Sequence, residues 1–247
     1  MINEEQKQDI IDILTTSIEC SGYSNAKINI TRDEEIIKTT QTYWPQYIDK
    51  DTGKPFRYPF IPDCDMSDFA CDFYEIIYKD ILNDIKLVDD NGNFTDKNFA
   101  GDTMTSVSKL PGLKDRYHCL ANFWLIPMEI GRTSTNEWSK TSKKYEILDF
   151  MDRFLLLLKY NYHAFENSFR NYFNNIKRFE QFSEIHFIKN SYVDENYDVN
   201  EYSHQLDSTT SEILFEFMKI RATLISESKY AEELWNYFND LHLFKKI

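Results

Sequence analysis

Glycine and proline are scarce, with six of each in 247 residues. Few glycines leave few tight turns and few phosphate-cradling loops. Neither GxGxxG nor GxxxxGK(S/T) occurs, so the common nucleotide-binding loops are absent as motifs. No apolar run approaches the ~20 residues of a membrane-spanning helix. Nor is there a cationic start followed by an apolar stretch, because Asn3, Glu4, Glu5 and Asp9 crowd the beginning. The expected location is therefore cytoplasmic, in a bacterium or, for a phage-encoded chain, in its host. The four cysteines, Cys20, Cys64, Cys71 and Cys119, form no CxxC pair. In a reducing compartment they are read as free thiols packed as small hydrophobes. Positive charge is also short. Lysine and arginine total 28 against 41 aspartates and glutamates, a net charge of −13. That excess excludes a basic nucleic-acid coat and a polybasic membrane binder. Direct nucleic-acid binding and membrane contact are accordingly not expected.

Hydrophobic residues make up 42% of the chain and aromatics 16%, too many for a disordered polymer. The length fits one large domain or two small ones and suffices for a sizeable core. Valine appears only four times and arginine eight times, while isoleucine, asparagine, lysine, tyrosine and phenylalanine abound. The preferred residues mostly have A/T-rich codons. The skew points to a low-GC bacterium, its phage or a mobile element, and says nothing of chemistry.

The pattern predicts a mainly helical α+β fold with a small, mostly antiparallel sheet. Residues 3–20 read as a helix capped by Asn3 and Gln6, with Ile10, Ile11, Ile13, Leu14 and Ile18 on one face. Residues 27–31 alternate like a short strand. Residues 43–62 hold Pro45, Gly53, Pro55, Pro59 and Pro62 and are expected to be irregular. A helix is predicted over 66–86, a hairpin turning at Asn91-Gly92, and a buried strand within 117–130 ending near Pro127. Helices follow over 144–162, 164–182, 209–226 and 229–243, with the polar stretch 189–208 as a mobile loop. Residues 1–208 are read as the main α+β domain and 209–247 as a helical pair packed on it.

Candidate chemistry is thin. Asp63, Asp65 and Asp68 form the densest acidic cluster, and converging aspartates suit a divalent metal. Their ordinary role is as caps and first-turn residues of the helix that follows. His118 stands beside Cys119, but strand neighbours point to opposite faces, so any catalytic role would be as a lone general base. Residues 118–140 share a rhythm with the tail of HNH-type nucleases, without the histidine pair that would hold the metal. Arg132 ends the apolar strand. Asp152 and Arg153 interrupt the apolar run Phe150 to Leu155, where a charge is costly unless partnered. The favoured reading of these groups is an internal salt-bridge anchor between helix and strand. The alternative is an anion site.

Ile126-Pro127, Gly131-Arg132, Thr133 to Asn136 and the run Ile147 to Tyr162 carry a resemblance. They are similar to a bacterial family described only as a domain of unknown function, with a Pro…Arg…Asn segment followed by an Asp-Arg-Phe helix. Asp152-Arg153-Phe154 matches that opening, whereas Leu155 stands where the family often has a second aspartate. The regions Tyr43 to Phe56, Phe99 to Thr103 and Tyr172 to Val193 extend the likeness over about 35–200. The resemblance brings no settled activity. It implies that Asp102, Arg132, Asp152 and Arg153 sit together.

Two functions follow as expectations. The first is a non-catalytic, acidic interaction or regulatory protein that binds a basic protein partner, in phage–host conflict, with no cofactor. The second is a metal-dependent hydrolase of a nucleotide or nucleic acid. Its site would use Asp102, His118, Arg132, Asp152 and Arg153, with a divalent metal at Asp63, Asp65 and Asp68. The absence of catalytic motifs and the net charge favour the first.

Overall fold

A computed structural model describes residues 2–16, 30–32, 35–37, 43–49, 55–57, 68–83, 86–89, 95, 98–105, 110–113, 116–127, 150–174, 176–204, 206–240 and 243–246. Helix α1 spans Glu4–Thr15. Its capping box is formed as predicted: Gln6 N–H donates to Asn3 Oδ1 and Asn3 N–H to Gln6 Oε1, both at 2.9 Å. Ile10, Ile13 and Leu14 face the core.

Strand β1 (Ile30–Arg32) pairs only with β2 (Glu35–Ile37), in an antiparallel two-stranded unit of its own. Strands β3 (Tyr43–Asp49) and β4 (Pro55–Arg57) occupy part of the stretch expected to be irregular. Pro45 is accommodated because it lies where the β3–β4 register shifts, between Trp44 and Ile48, so no regular ladder bond needs its missing N–H.

Helix α2 spans Asp68–Ile77 and turns its apolar residues Phe69, Phe73 and Ile77 inward. It stops short of the predicted residue 86. Beyond it, the Glu75 carboxylate accepts the amides of Leu87 and Val88 at 2.5 and 2.9 Å. Thr95 N–H returns to Leu87 C=O at 2.8 Å, so the chain doubles back as the Asn-Gly signal implied. The turn residues 90–94 themselves lie outside the described set.

Strand β5 (Phe99–Thr103) pairs antiparallel with β6 (Phe123–Pro127), Asp102 opposite Trp124. All five residues of β6 are buried. A single 3₁₀ turn, Leu120–Asn122, leads into it. Asn122 extends the ladder: its carbonyl accepts Met104 N–H, and its side chain bonds both the N–H and the C=O of Thr105.

The C-terminal half is helical. Helix α3 spans Met151–Tyr160, with Phe150 as its N-cap; positions 144–149 of the predicted helix lie outside the described residues. The apolar spacing from Phe165 to Phe179 reads as one helix but is broken in two. Helix α4 (Tyr162–Tyr172) ends where Phe173 turns extended to bridge Leu82, and α5 (Phe179–Ile185) follows. Phe173 thereby sets its ring edge-on to Phe99 and Tyr78. Helix α5 closes in a Schellman motif, with Phe187 N–H to Glu184 C=O and Ile188 N–H to Ser183 C=O. Phe187 holds the left-handed position at φ 57°, which glycine usually takes.

The segment after α5 is packed against the helices rather than projecting. Tyr192, Val193 and Tyr202 are buried. Its polar side chains make its turns: Asp194 Oδ1 accepts the amides of Asn196 and Asp198, and Asn200 Nδ2 donates to Ser191 C=O. Helix α6 (Ser208–Ser226), capped by Asp207, packs against α1 and the 3₁₀ turn. Helix α7 (Ala231–Asp240) packs against α1 and α2, with Tyr237 Oη donating to Asp72 and Lys79 paired to Glu233. Strand β7 (Leu243–Lys246) then joins the free edge of β3, ending α7 before the predicted residue 243. The fold is α+β, a predominantly helical single domain with small antiparallel sheets around one aromatic core centred on Trp124.

Candidate functional site

The charged pair in the apolar helix divides. Asp152, in the first turn of α3, is 1% exposed, while Arg153 faces solvent. Asp152 Oδ2 accepts the backbone amides of Tyr202 and Ser203 at 3.0 and 2.9 Å. Its Oδ1 has no hydrogen-bond partner among the described residues. Arg153 lays its guanidinium over the Phe150 ring at 4.5 Å and donates from Nε to Ser203 Oγ at 3.1 Å. Among the described residues the two make no ion pair with each other but share a grip on Ser203, while Arg132, at the strand end of the expected anchor, lies outside the described residues. Arg153 projects about 100° round the helix from Asp152, onto the exposed face of α3.

A buried chain of hydroxyls runs on from Asp152. Tyr202 Oη accepts Met151 N–H at 2.8 Å, which satisfies an otherwise orphaned amide at the start of α3. Tyr192 Oη and Thr105 Oγ1 are hydrogen-bonded at 2.7 Å. Burial raises the pKa of both tyrosines. Beside Tyr202 the neighbouring Tyr192 and Asp152 add to that effect. Both hydroxyls stay neutral and act as structural links.

A second buried centre lies behind β6. Because Met104 N–H bonds Asn122 C=O, the odd-numbered residues of β6 turn their amides away from β5. Arg221 from α6, fully buried, covers that open edge. Its Nη1 donates to the carbonyls of Ala121 and Phe123, each at 2.8 Å, and of Leu120 at 3.3 Å, while Nε donates to His186 C=O at 2.8 Å. A longer contact of 3.5 Å reaches Tyr78 Oη. Tyr78 Oη and His186 Nδ1 are hydrogen-bonded at 2.8 Å, and the imidazole lies among the rings of Phe182, Trp124 and Phe173. Burial, reinforced by the Arg221 charge, holds His186 well below its ordinary pKa, so it is neutral. Burial pushes Tyr78 up to about 12 against the pull of Arg221. This arrangement closes a sheet edge and offers no open face to a substrate.

Asp102 is buried on β5 and its Oδ1 accepts Thr103 N–H at 2.8 Å. His118 is half-buried in the turn before the 3₁₀ segment, edge-on to Phe123. Asp63, Asp65 and Arg132 lie outside the described residues, and Asp68 is described only as the backbone start of α2. Among the described residues no group of three or more metal-ligating side chains converges, and no helix is long and apolar enough to cross a membrane. Cys71 and Cys119 are buried.

The open concavity of interest is a cleft of about 610 Å³ between the 200–204 segment and the N-terminal turns of α6. Glu201, His204 and Asp207 supply its charge; Tyr202, Ile213 and Phe217 supply apolar wall. Asp152 fixes one side of it from beneath, through the amides of Tyr202 and Ser203. None of the cleft residues was singled out from the sequence. Nor was Arg221, although Met218, Arg221, Ala222 and Ile225 hold the 3–4 spacing that puts an arginine on a buried stripe. The chain matches no protein-family model, no curated protein and no solved structure.

Proposed function

We propose that this protein is a non-catalytic interaction module that receives a basic protein partner on the acidic surface of its C-terminal half. The observation that carries the reading is the distribution of charge over 190–240. That stretch holds eleven carboxylates and three cations. All the carboxylates except the half-buried Asp194 are exposed. Of the cations, Arg221 is buried, Lys219 is paired to Glu216 and Lys229 to Asp80. Such a field attracts basic partners and speeds their association. It also disfavours direct contact with nucleic acid, so the natural partner is a protein whose own basic groove the carboxylates would cover. The skew towards amino acids with A/T-rich codons supports a setting in phage–host conflict, as a defence component or a counter-defence inhibitor. The buried polar groups further support a binding role, since Asp152, Arg221 and His186 are engaged in holding the chain together.

The test is affinity capture from infected and uninfected low-GC bacterial lysates, with captured proteins quantified after a salt gradient. One stoichiometric basic protein, released as ionic strength nears ~1 M and screening falls to ~3 Å, is expected. Retention of no basic protein, together with metal-dependent loss of an added nucleotide, would refute the reading in favour of a hydrolase.

A further inference from the structure

Helix α6 already embraces cations of its own chain. The Arg116 guanidinium stacks on Phe215 at 4.8 Å and pairs with Glu212 at 3.4 Å, and Lys219 sits over the same ring while paired to Glu216. Each cation is held between the Phe215 ring and a carboxylate of the same helix. The neighbouring face of α6 repeats the arrangement in the cleft, with Phe217 and Ile213 from the helix, Tyr202 from the opposite wall, and Asp207 and Glu201 at the rim. Among the described residues no lysine or arginine fills it. Glu201 meets only His204, at 2.9 Å, and Asp207 uses Oδ1 to cap the helix. Two large apolar side chains, Leu206 at 44% and Ile213 at 40% exposed, stand uncovered beside these carboxylates.

We infer that this cleft is the point at which the basic partner is held, and that it takes an arginine side chain of that partner. The inference rests on the acidic-surface reading and sharpens it to one place. The aliphatic stem lies along Ile213 and Phe217, the guanidinium plane faces an aromatic ring, and its fork reaches Glu201 and Asp207. Arginine suits the site better than lysine because its planar, weakly hydrated head stacks and pairs at once. The volume leaves room for the residues that flank it.

A capped tetra-arginine peptide serves as probe, followed by isothermal titration and ¹⁵N amide shifts at low salt. Binding is expected, with shifts centred on Glu201 to Phe217, and a tetra-citrulline peptide is expected not to bind. Glu201→Gln with Asp207→Asn is expected to weaken affinity about tenfold; asparagine keeps the helix cap, so the fold is retained. Glu227→Gln with Glu232→Gln removes equal charge roughly 30 Å away, beyond the far end of α6, and is expected to change affinity less than about twofold. Ile213→Lys, at an exposed helical position, supplies a resident cation and is expected to abolish the shifts. Equal weakening by both neutralised pairs would overturn the cleft while leaving the acidic surface standing. Equal affinity for tetra-lysine would overturn the choice of arginine. No binding of the arginine peptide to the unaltered protein would overturn both readings.

Discussion

Replacing Arg221 by methionine tests the account of the core most sharply. Methionine matches the stem in length and removes the charge. Two effects oppose each other. Relief from burying a guanidinium favours the variant, and exchanging buried ions for apolar residues is often neutral or better. Here, however, the partners are backbone carbonyls, which no compensating substitution can remove. Leu120 C=O keeps the Phe123 amide, but the carbonyls of Ala121, Phe123 and His186 each lose a donor at 2.8 Å. A buried carbonyl left unpaired costs about 1–3 kcal/mol, so three cost more than the desolvation of a charge spread over four oxygens returns. The expected net loss is about 3–5 kcal/mol, against a total stability on the order of 5–15 kcal/mol. Urea unfolding followed by tryptophan fluorescence reads this directly. With a slope of about 2–3 kcal/mol per molar, the midpoint is expected to fall by about 1–2 M. Arg221→Lys is also expected to destabilise, because an ammonium cannot reach both His186 and the 3₁₀ turn. A methionine variant within about 0.5 kcal/mol of the parent would show that the cation is tolerated rather than needed, and would refute the reasoning.

Asp152→Ala leaves the Tyr202 and Ser203 amides unpaired and is expected to cost about 2–4 kcal/mol; Asp152→Asn keeps an oxygen for them and is expected to cost about 1 kcal/mol, both by urea denaturation. His186 is neutral when folded, with its pKa depressed, so the unfolded chain binds the extra proton. Stability is fully present above pH ~6.5 and is lost as the pH falls below it, by about 1.4 kcal/mol at pH 5.5. Denaturation midpoints across pH 5.5–7.5 should show this slope, and His186→Gln should flatten it. Tyr78 works in the opposite sense: with a folded pKa of about 12, its contribution holds below pH ~10 and is lost above. Gly112 has φ +80° in a turn closed by Leu113 N–H to Leu110 C=O, and a Cβ there would meet nothing within 4 Å. Gly112→Ala is therefore expected to cost about 1 kcal/mol from backbone conformation alone, seen as a lowered thermal midpoint with no change in affinity for basic peptides.

What was legible in the sequence was what is decided locally. The α1 cap needs only Asn3 and Gln6, and α6 was readable because an acidic cap precedes nineteen residues free of glycine and proline. The buried strand β6 declared itself by apolar content, although its start shifted to make room for the 3₁₀ turn. Periodicity failed at Phe173, whose spacing is helical but whose backbone is drawn out to meet Leu82, 91 positions earlier in numbering. Composition failed at 189–208, where asparagine and aspartate look solvent-seeking yet bond their own backbone, while three aromatic or aliphatic anchors go inward. Arg221 was invisible for a related reason, since a charge inside a core is recognisable only once the carbonyls that receive it are in view.

The span of the Arg221 contacts bears on the order in which the molecule assembles. A chain growing from its N-terminus makes Tyr78, the 3₁₀ turn and His186 well before the residue that ties them, which stands 143, about 100 and 35 positions later. Until then the outer edge of the β5–β6 ribbon has no guanidinium to close it, and loops of that length are slow to shut. A nascent chain halted before α6 is thus left with an unsatisfied strand margin, open to misassociation. Closure of that margin waits for α6 to leave the ribosome.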